Sequence, residues 1–265
     1  MSGIIFPRGY YFVFSNVRMM AEAMHTNHCH EHIEVYYMES GRCNFFIDDK
    51  TYEVMPGDVV LIPSNAIHKT NYGDEEHCRL LLEFSSHFIS DEIAEQIPNI
   101  AHIYRNPMIT REVLSLLKKI EIEDRYPDEF SAMSVQSYIN LILLLLIRNK
   151  DIDGNTESKN AVIDSVVTFI KRNYFANITL SKISRLYYMS SEHMSRMFKR
   201  ETGFGFNEYI MLVRLQHAER MLKEHTKASI AEIAYVCGFN DSNYFSNKFK
   251  SIYGLSPLRY RRENR

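Results

Sequence analysis

The sequence predicts a multi-domain fold, with an all-β barrel and a helical segment in the N-terminal part and an all-α domain in the C-terminal part. Three observations predict it. Short strand-like runs fill the first 85 or so residues, helical periodicity dominates after them, and one helical unit occurs twice near the C-terminus. At 265 residues the chain is long enough for two domains that each bury a core.

The N-terminal runs have the composition of strands and are separated by turn sequences. They read YYFVFSNV, HIEVYYME, CNFFID, TYEVM, DVVLIP and CRLLLEF, with Ser40-Gly41 and Pro56-Gly57 among the turns between them. Many short strands at close spacing are typical of a β-sandwich or barrel. We therefore expect an all-β domain over residues 1–105.

Two apolar helices are predicted after the strands. Residues 109–121 place Val113, Leu116, Leu117 and Ile120 at helical spacing, and residues 129–148 form a longer helix that is apolar on more than one face. A helix that is apolar nearly all round needs cover from more than one side. We predict that residues 106–150 pair two copies of the chain into a homodimer, and that the polar residues 151–160 form a linker.

Residues 161–265 contain an internal repeat with an offset of about fifty residues. The first copy is ITLSKISRLYYMSSEHMSRMFKRETGFGF and the second is ASIAEIAYVCGFNDSNYFSNKFKSIYGLSP. Each copy predicts a short helix that opens at Thr179 or Ser229, a turn, and a second helix that opens at Ser190 or Asn240. A long helix over residues 206–223 joins them. The pattern predicts two helix-turn-helix units, whose second helices enter the major groove of DNA.

The charge of the chain is divided between its two parts. Residues 161–265 hold 17 Lys and Arg against 9 Asp and Glu, a balance of +8, and the remaining residues hold 14 against 24, a balance of −10. A basic domain beside an acidic one indicates that the basic part binds nucleic acid. Double-stranded DNA is therefore the expected partner of residues 161–265.

The last hundred or so residues resemble the DNA-binding domain of AraC/XylS-type transcription regulators. The resemblance rests on Arg214-Leu215, Ala218, Leu222, the run from Ile230 to Ala234, Gly238-Phe239, Tyr244-Phe245, Phe249-Lys250, Gly254 and Ser256-Pro257. It implies a sequence-specific transcription regulator, with RNA polymerase as a further partner. Whether the protein activates or represses stays open.

The resemblance also implies which residues face DNA. They are Glu192, His193, Ser195, Arg196 and Lys199 in the first unit, and Ser242, Asn243, Tyr244, Asn247 and Lys250 in the second. Arginine can contact guanine bidentately and asparagine can contact adenine, while the two lysines suit phosphates. Ser195 and Ser242 are equally compatible with solvated or capping roles. The family often has arginine in place of Asn247, so the base preference of the second unit stays open.

Three histidines and a glutamate in the strand-rich part form the second candidate site. His28, His30, Glu34 and Tyr36 would share one face of an extended strand, and His68 follows further along the chain. The run from His28 to Gly41, with Pro56-Gly57-Asp58 and His68, resembles the two motifs of a cupin barrel. Asn65 and Tyr72 depart from the metal-binding form of the second motif.

The cupin resemblance implies a pocket for a small-molecule effector lined by His28, His30, Glu34, Tyr36 and His68, with a sugar or related metabolite as the first class to test. We expect no metal, no cofactor and no enzymatic activity. The alternative is a metal-dependent cupin enzyme fused to a DNA-binding domain, in which His28, His30, Glu34 and His68 hold Fe(II), Mn(II) or Zn(II).

The sequence also predicts a cytoplasmic protein that does not contact a membrane. The four cysteines lie far apart without a C-x-x-C pair, which argues against a disulfide framework. The N-terminus lacks the basic and apolar regions of a secretory signal. The longest aliphatic run, residues 141–147, is much shorter than the roughly 20 residues that a membrane span needs.

Overall fold

The computed structural model describes residues 4–7, 9–20, 30–72, 76–99, 102–149, 160–224 and 227–263. The strands are β1 (Phe12–Met20), β2 (Ile33–Ser40), β3 (Cys43–Ile47), β4 (Lys50–Val54), β5 (Val59–Ile62), β6 (His68–Asn71), β7 (Glu76–Phe84) and β8 (Ile103–Tyr104). The helices are α1 (Asp91–Ala94), α2 (Pro107–Arg125), α3 (Ser131–Arg148), α4 (Ala161–Asn173), α5 (Leu180–Leu186), α6 (Ser191–Thr202), α7 (Phe206–Glu224), α8 (Ile230–Val236), α9 (Ser242–Tyr253) and α10 (Pro257–Glu263). Of the linker predicted over residues 151–160, only Asn160 lies within the described residues.

The strands form two antiparallel sheets that face each other. One has the order β1-β7-β2-β5-β8 and the other the order β4-β3-β6. Because side chains alternate along a strand, each sheet sends one set inward. The shared interior holds large apolar side chains, among them Tyr36, Phe45, Val60 and Leu81. The all-β part expected from the sequence is confirmed, with two strands, β6 and β8, that the sequence pattern did not predict.

The outer face of the five-stranded sheet is covered by α2 and α3. Val35, Leu61 and Leu82 point outward from this sheet into a core that includes Val113 of α2 and Ile139 of α3. Helix α2 begins at Asn106, whose side chain accepts a hydrogen bond from the amide of Met108. The predicted helices are thus present, although α3 begins at Ser131, two residues later than expected.

Helix α3 is the one helix in the described ranges that is long and apolar enough to cross a membrane by length and composition, with a mean hydropathy of 1.4. The core helix of a water-soluble protein passes the same test. In this chain the helix packs against α2, and Asn140 donates a hydrogen bond to the carbonyl of Phe88 at 2.9 Å. A core position at the edge of the barrel accounts for its composition.

The C-terminal helices form one core around α7. Val213 and Leu222 of α7 pack with Ile170 of α4, Phe198 of α6 and Phe249 of α9, all fully buried. The two repeated units end alike, because Gly203 and Gly254 close α6 and α9 in the left-handed conformation with φ of 78° and 73°. The predicted helix-turn-helix pair is therefore confirmed in the fold.

The outer face of the three-stranded sheet docks against this helical core. Phe46 of β3 makes edge contacts with Phe204 and Tyr209 at ring distances of 6.0 and 5.7 Å. The Tyr209 hydroxyl donates to the Asp48 carbonyl at 2.7 Å, and the Thr51 hydroxyl donates to the Glu201 carbonyl at 3.0 Å. This sheet therefore separates the barrel interior from α6 and α7, and it touches both.

Candidate DNA interface and effector site

Both helix-turn-helix units are defined by caps that the sequence supplies. Thr179 caps α5 and Ser190 caps α6, and each side chain accepts a hydrogen bond from a backbone amide near the start of its helix. In the second unit Ser229 forms a capping box with Glu232 at the start of α8. The N-cap of α9 is Asp241, which accepts from the Tyr244 amide at 2.7 Å. The expected start at Asn240 is therefore wrong by one residue.

The turn of each unit contains a residue with a positive φ, Tyr188 in the first and Gly238 in the second. Tyr188 has a positive φ of 54° and is 98% exposed. Gly238 occupies the turn of the second unit with a φ of 85°, and a side chain there would lie 2.8 Å from the Phe175 carbonyl. Only glycine fits at this position, so the turn and the approach of α8 to residue 175 depend on it.

The predicted DNA-facing residues of α6 lie on its outer side. Met194 and Phe198 are fully buried, and this fixes which face points to solvent. Glu192 and Arg196 are 79% and 71% exposed and lie 3.2 Å apart across one turn of the helix. His193 and Lys199 are also exposed, and Ser195 is half-buried.

The second helix, α9, has the same arrangement. Phe245 and Phe249 are fully buried, while Ser242, Asn243, Tyr244, Asn247 and Lys250 are all exposed. The Lys248 ammonium lies 5.7 Å from the centre of the Tyr244 ring, which adds a positive charge beside the predicted face. At 1.5 Å per residue, the 19 residues of α7 that join the units span about 28 Å, close to the roughly 34 Å between successive turns of a DNA groove.

The surroundings of Lys199 differ from what the sequence alone indicated. Its side chain lines a cleft between α6 and the barrel, together with Asn44, Lys69 and Arg200. Burial lowers the pKa of Lys69, and the nearby Lys199 lowers it further, against the opposing effect of Glu208. Lys69 was not identified from the sequence, because a single lysine in a polar strand carries no pattern.

In the barrel, His30, Glu34 and His68 form a cluster that we call the interior triad. His30 Nε2 lies 2.6 Å and His68 Nε2 lies 3.4 Å from the same Glu34 oxygen. Glu34 and His68 are almost fully buried. His30 precedes the bend at residues 31–32 that leads into β2, and it is not part of the strand. The expectation that residues 28 to 36 form one continuous strand is therefore wrong from His30 to His32, and His28 lies outside the described residues.

The triad is held together electrostatically. Burial alone would raise the pKa of Glu34, but the two imidazoles more than offset this and hold the pKa well below its usual range. Burial alone would lower the pKa of His68, and the Glu34 carboxylate more than offsets this and raises it. The arrangement therefore favours a carboxylate that shares its charge with protonated imidazole.

The triad also fits a metal ion by the chemistry of its donors. The potential ligand atoms of its three residues lie within 4.8 Å of one another. His68 Nδ1 lies 3.0 Å from the Ala66 carbonyl, and His30 Nδ1 lies 3.2 Å from the His32 carbonyl. Such bonds orient metal-binding histidines. They equally orient the imidazoles toward Glu34, so the triad is held in place by its own hydrogen bonds.

Tyr36 lies two residues after Glu34 on β2. Its side chain is 2% exposed and makes an edge contact with Phe45 at a ring distance of 4.9 Å. Its hydroxyl lies 3.7 Å from the Met38 sulfur and 3.9 Å from the Cys43 sulfur. The structure thus brings His30, Glu34 and His68 together, and it places Tyr36 on the same inner face at a separate position.

The segment before β6 connects the triad to the helical core. The Asn65 amide donates to the His30 carbonyl at 2.7 Å, and the Asn65 carbonyl accepts from the Gln216 side chain at 2.9 Å. Ile67, next to His68, is buried within the helical core. None of these contacts was predicted, because they join residues that are distant in sequence, 151 positions apart for Asn65 and Gln216, without any local pattern.

Comparison with known proteins matches both parts of the chain. A family model described as an AraC-like ligand binding domain matches residues 15–135, and a model described as a helix-turn-helix domain matches residues 183–263.

The chain is similar along most of its length to curated transcription regulators. The HTH-type transcriptional activator RhaR of Mannheimia succiniciproducens is 25% identical over 263 residues, which cover 95% of this chain and 94% of the relative. The HTH-type transcriptional activator RhaS of Escherichia coli is 24% identical over 262 residues, covering 95% and 92%. Among solved structures, ToxT from Vibrio cholerae is 16% identical, covering 95% of this chain and 97% of that chain, with a TM-score of 0.40.

Proposed function

Because this chain belongs to the AraC family of transcription regulators, with an AraC-like ligand binding domain followed by a helix-turn-helix domain, we propose that it reads its operator through the exposed faces of α6 and α9. The observation that carries the proposal is the pairing of a buried apolar face with an exposed polar face on both helices. The joining helix α7 gives them a separation suited to successive turns of one DNA groove.

Each unit contributes base contacts and phosphate contacts. Arg196 supplies a guanidinium for a guanine, and Asn243 and Asn247 supply side-chain amides for adenines. Glu192, His193, Ser195, Ser242 and Tyr244 complete the two faces. Lys199 and Lys250 lie one turn further along their helices and meet phosphates, which position the protein without reading sequence. The +8 balance of residues 161–265 supports this electrostatic footprint.

The barrel is the effector-sensing domain. We assign residues 1–105 to it, residues 106–150 to a helical dimerisation segment, residues 151–160 to a linker and residues 161–265 to the DNA-binding domain. The interior triad and Tyr36 form the polar part of the effector site, with a sugar or related metabolite as the first class to test. The relatives are named transcriptional activators, which supports a regulator without enzymatic activity.

Dimerisation is assigned to the exposed side of α3. Met133 and Leu141 are 70% and 49% exposed and lie eight residues apart, on one face of the helix. Exposed apolar side chains on one helix face suit a second copy of the same face. A dimer would bind two copies of a site with higher effective affinity than one subunit.

The protein acts in the cytoplasm on double-stranded DNA and contacts RNA polymerase.

Selection of bound DNA from a random pool tests the DNA assignment. The full chain should enrich a recurrent sequence that covers about two turns of DNA, or two copies of it. Arg196→Ala should relax the preference at one base pair, whereas Arg185→Ala, an exposed arginine on α5, should enrich the wild-type sequence. If the wild-type chain enriches no sequence, or if Arg196→Ala enriches the same sequence with unchanged affinity, the assigned reading face is wrong.

A further inference from the structure

The barrel interior contains a second polar site, away from the triad, built around Arg79. Leu81 of β7 points into the interior, whereas its neighbours Leu80 and Leu82 point to the outer core. Arg79 and Glu83 share the parity of Leu81 and therefore the inner face. Glu83 lies opposite Glu34, at the triad end, and Arg79 lies opposite Met38. Four residues of strand separate the two ends by about 13 Å.

Two nitrogens of the partly buried Arg79 side chain have no hydrogen-bond partner. Its Nε and Nη1 atoms are both shielded from solvent, and neither has an acceptor. Its guanidinium carbon lies 5.8 Å from the centre of the Tyr36 ring. Arg214 is a useful comparison, because its Nε and Nη2 donate to the carbonyls of Tyr174 and Ala176 at 2.8 and 3.0 Å. This fold therefore supplies acceptors to two nitrogens of Arg214 and none to Nε and Nη1 of Arg79.

The groups around Arg79 are neutral hydroxyl and thiol groups, which supply no negative charge to its guanidinium. The Tyr72 hydroxyl is buried beside the side chains of Tyr36 and Thr70, but it makes no hydrogen bond of good geometry. The Tyr36 hydroxyl lies 3.7 Å from the Met38 sulfur and 3.9 Å from the Cys43 sulfur, and it interacts with the Tyr72 hydroxyl. Burial raises the pKa of both tyrosines, and it raises the pKa of the Cys43 thiol to about 12. All three groups therefore keep their protons at neutral pH. The positive charge of Arg79 acts on each of them.

Neither carboxylate of the inner face forms an ion pair with Arg79, although the charge of Arg79 acts on Glu83 from a distance and opposes the rise of its pKa. Glu34 is bound to the imidazoles of the triad. Glu83 accepts a hydrogen bond from the Tyr11 hydroxyl at 3.2 Å, and burial raises its pKa. An unpaired buried donor costs about 1–3 kcal/mol, and more when it is charged. The cluster is thus a positively charged guanidinium, two of whose nitrogens lack an acceptor, surrounded by neutral hydroxyl and thiol groups.

From this donor set we infer that Arg79, Tyr36 and Tyr72 bind the carboxylate group of a small organic acid, which is the effector or part of it. A carboxylate is an acceptor with a single negative charge, and its planar shape matches the guanidinium fork. A neutral sugar would leave the charge of Arg79 uncompensated in a desolvated site. On the edge strand β1, Ser15 and Val17 lie opposite Leu81 and Arg79 and are only partly buried, so this side of the site is the least shielded by the sheet. This inference rests on the proposed role of the barrel as the effector-sensing domain.

The thermal unfolding of the full chain tests the inference with defined probes. Sodium galacturonate, lactate and acetate are each titrated against sodium chloride at equal ionic strength, with galactose and propane-1,2-diol as neutral counterparts of the first two. At ten times its Kd, a bound carboxylate should raise the Tm of the wild-type chain by about 3–6 °C in a saturable way. Arg79→Met should abolish this rise, and Tyr72→Phe should weaken the affinity by about tenfold.

Two controls separate binding from a structural role. Arg18→Met, on the edge strand beside Cys78 and paired with Glu76 at the surface, should keep the full response. In chloride alone, Arg79→Met should melt no lower than the wild-type chain, because it removes donors that lack acceptors. The inference is overturned if no carboxylate raises the wild-type Tm, or if Arg79→Met responds to carboxylate like the wild type. It is also overturned if the Tm of Arg79→Met in chloride falls as far as after truncation of a core side chain, or if galactose stabilises the wild-type chain as much as galacturonate does.

Binding of the selected operator is measured on the same preparations. A wild-type chain that binds its operator but shows no carboxylate response overturns the anion site and leaves the DNA assignment intact. A chain that responds to carboxylate through Arg79 but binds no DNA sequence specifically overturns the DNA assignment alone. The two failures are therefore distinguishable.

Discussion

Phe46→Ala should loosen the contact between the barrel and the DNA-binding helices. Phe46 belongs to a barrel strand by sequence, but its side chain is 3% exposed and lies within the helical core. Its ring contacts Phe204 and Tyr209, which belong to the segment that joins α6 to α7 and to the first turn of α7. Its removal leaves a cavity that only undocking can close.

The expected cost follows from burial and ring contacts. Truncation of a fully buried phenylalanine to alanine costs about 3–5 kcal/mol, and each edge-to-face ring pair accounts for roughly 0.5–1.5 kcal/mol beyond its buried area. The neighbouring hydrogen bond from Tyr209 to the Asp48 carbonyl, which contributes about 1 kcal/mol, would also break if the two parts separate. A loss of about 3 kcal/mol corresponds to a change of roughly a hundredfold in an opening equilibrium.

Amide hydrogen exchange followed by mass spectrometry measures this opening segment by segment. In Phe46→Ala, exchange should rise by about a hundredfold in the first turns of α7 as well as in β3. The matched control is Ile47→Ala, the next residue on the same strand, which is fully buried on the inner face. Its effect should be larger in β3 and β6 than in α7. If Phe46→Ala changes exchange only within the barrel, the docking described above does not stabilise α7.

Three further changes test other parts of the molecule. Arg196→Ala should weaken binding to the selected DNA site by about 1–3 kcal/mol, whereas Lys199→Ala should weaken binding to all sequences alike and lower the dependence of log K on log salt by about one unit. Footprinting and salt titration measure these effects, and equal effects of both variants on all sequences would contradict the assignment. Burial, reinforced by Arg220, lowers the pKa of His217 from 6.5 to about 4. Between these values the unfolded chain binds a proton that the folded chain does not, so stability should fall as the pH falls from 6.5 to 4, and His217→Gln should flatten urea unfolding curves over that range; an unchanged slope would contradict it. If the proposed dimer forms through α3, Leu141→Glu should give a folded monomer in light scattering, because this side chain is half exposed; a dimer unaltered by the change would place the contact elsewhere.

The helical part was largely predictable because its signals are local. Thr179, Ser190 and Ser229 are N-caps in the structure as they were in the pattern, since capping depends on a side chain and an amide two or three residues away. Asp241 and Asn240 are both good N-cap residues, and composition alone does not choose between them. The side-chain faces of α6 and α9 followed from helical periodicity.

The barrel was less predictable because its decisive contacts are not local. Strand β6 reads HKTN, a polar run without strand composition, and it is a strand because it pairs with β3. It carries His68, so the geometry of the triad depended on a strand that the pattern did not show. Arg79 lies in a run that reads as an ordinary strand, and its lack of acceptors is visible only once the interior is assembled.

The three-stranded sheet explains how events inside the barrel can reach DNA. Along β6, His68 points inward to Glu34 while Lys69 points outward, where its ammonium lies 5.1 Å from the centre of the Phe204 ring. Along β3, Ile47 points inward and Phe46 outward. A ligand that shifts the backbone of β3 or β6 would move both sets of side chains, since both are attached to the same short strands. An effector can shift the position of α6 and α7 only by its difference in affinity for the docked and undocked states. The contacts of Phe46, Tyr209 and Gln216 consequently set the free energy that an effector has to overcome.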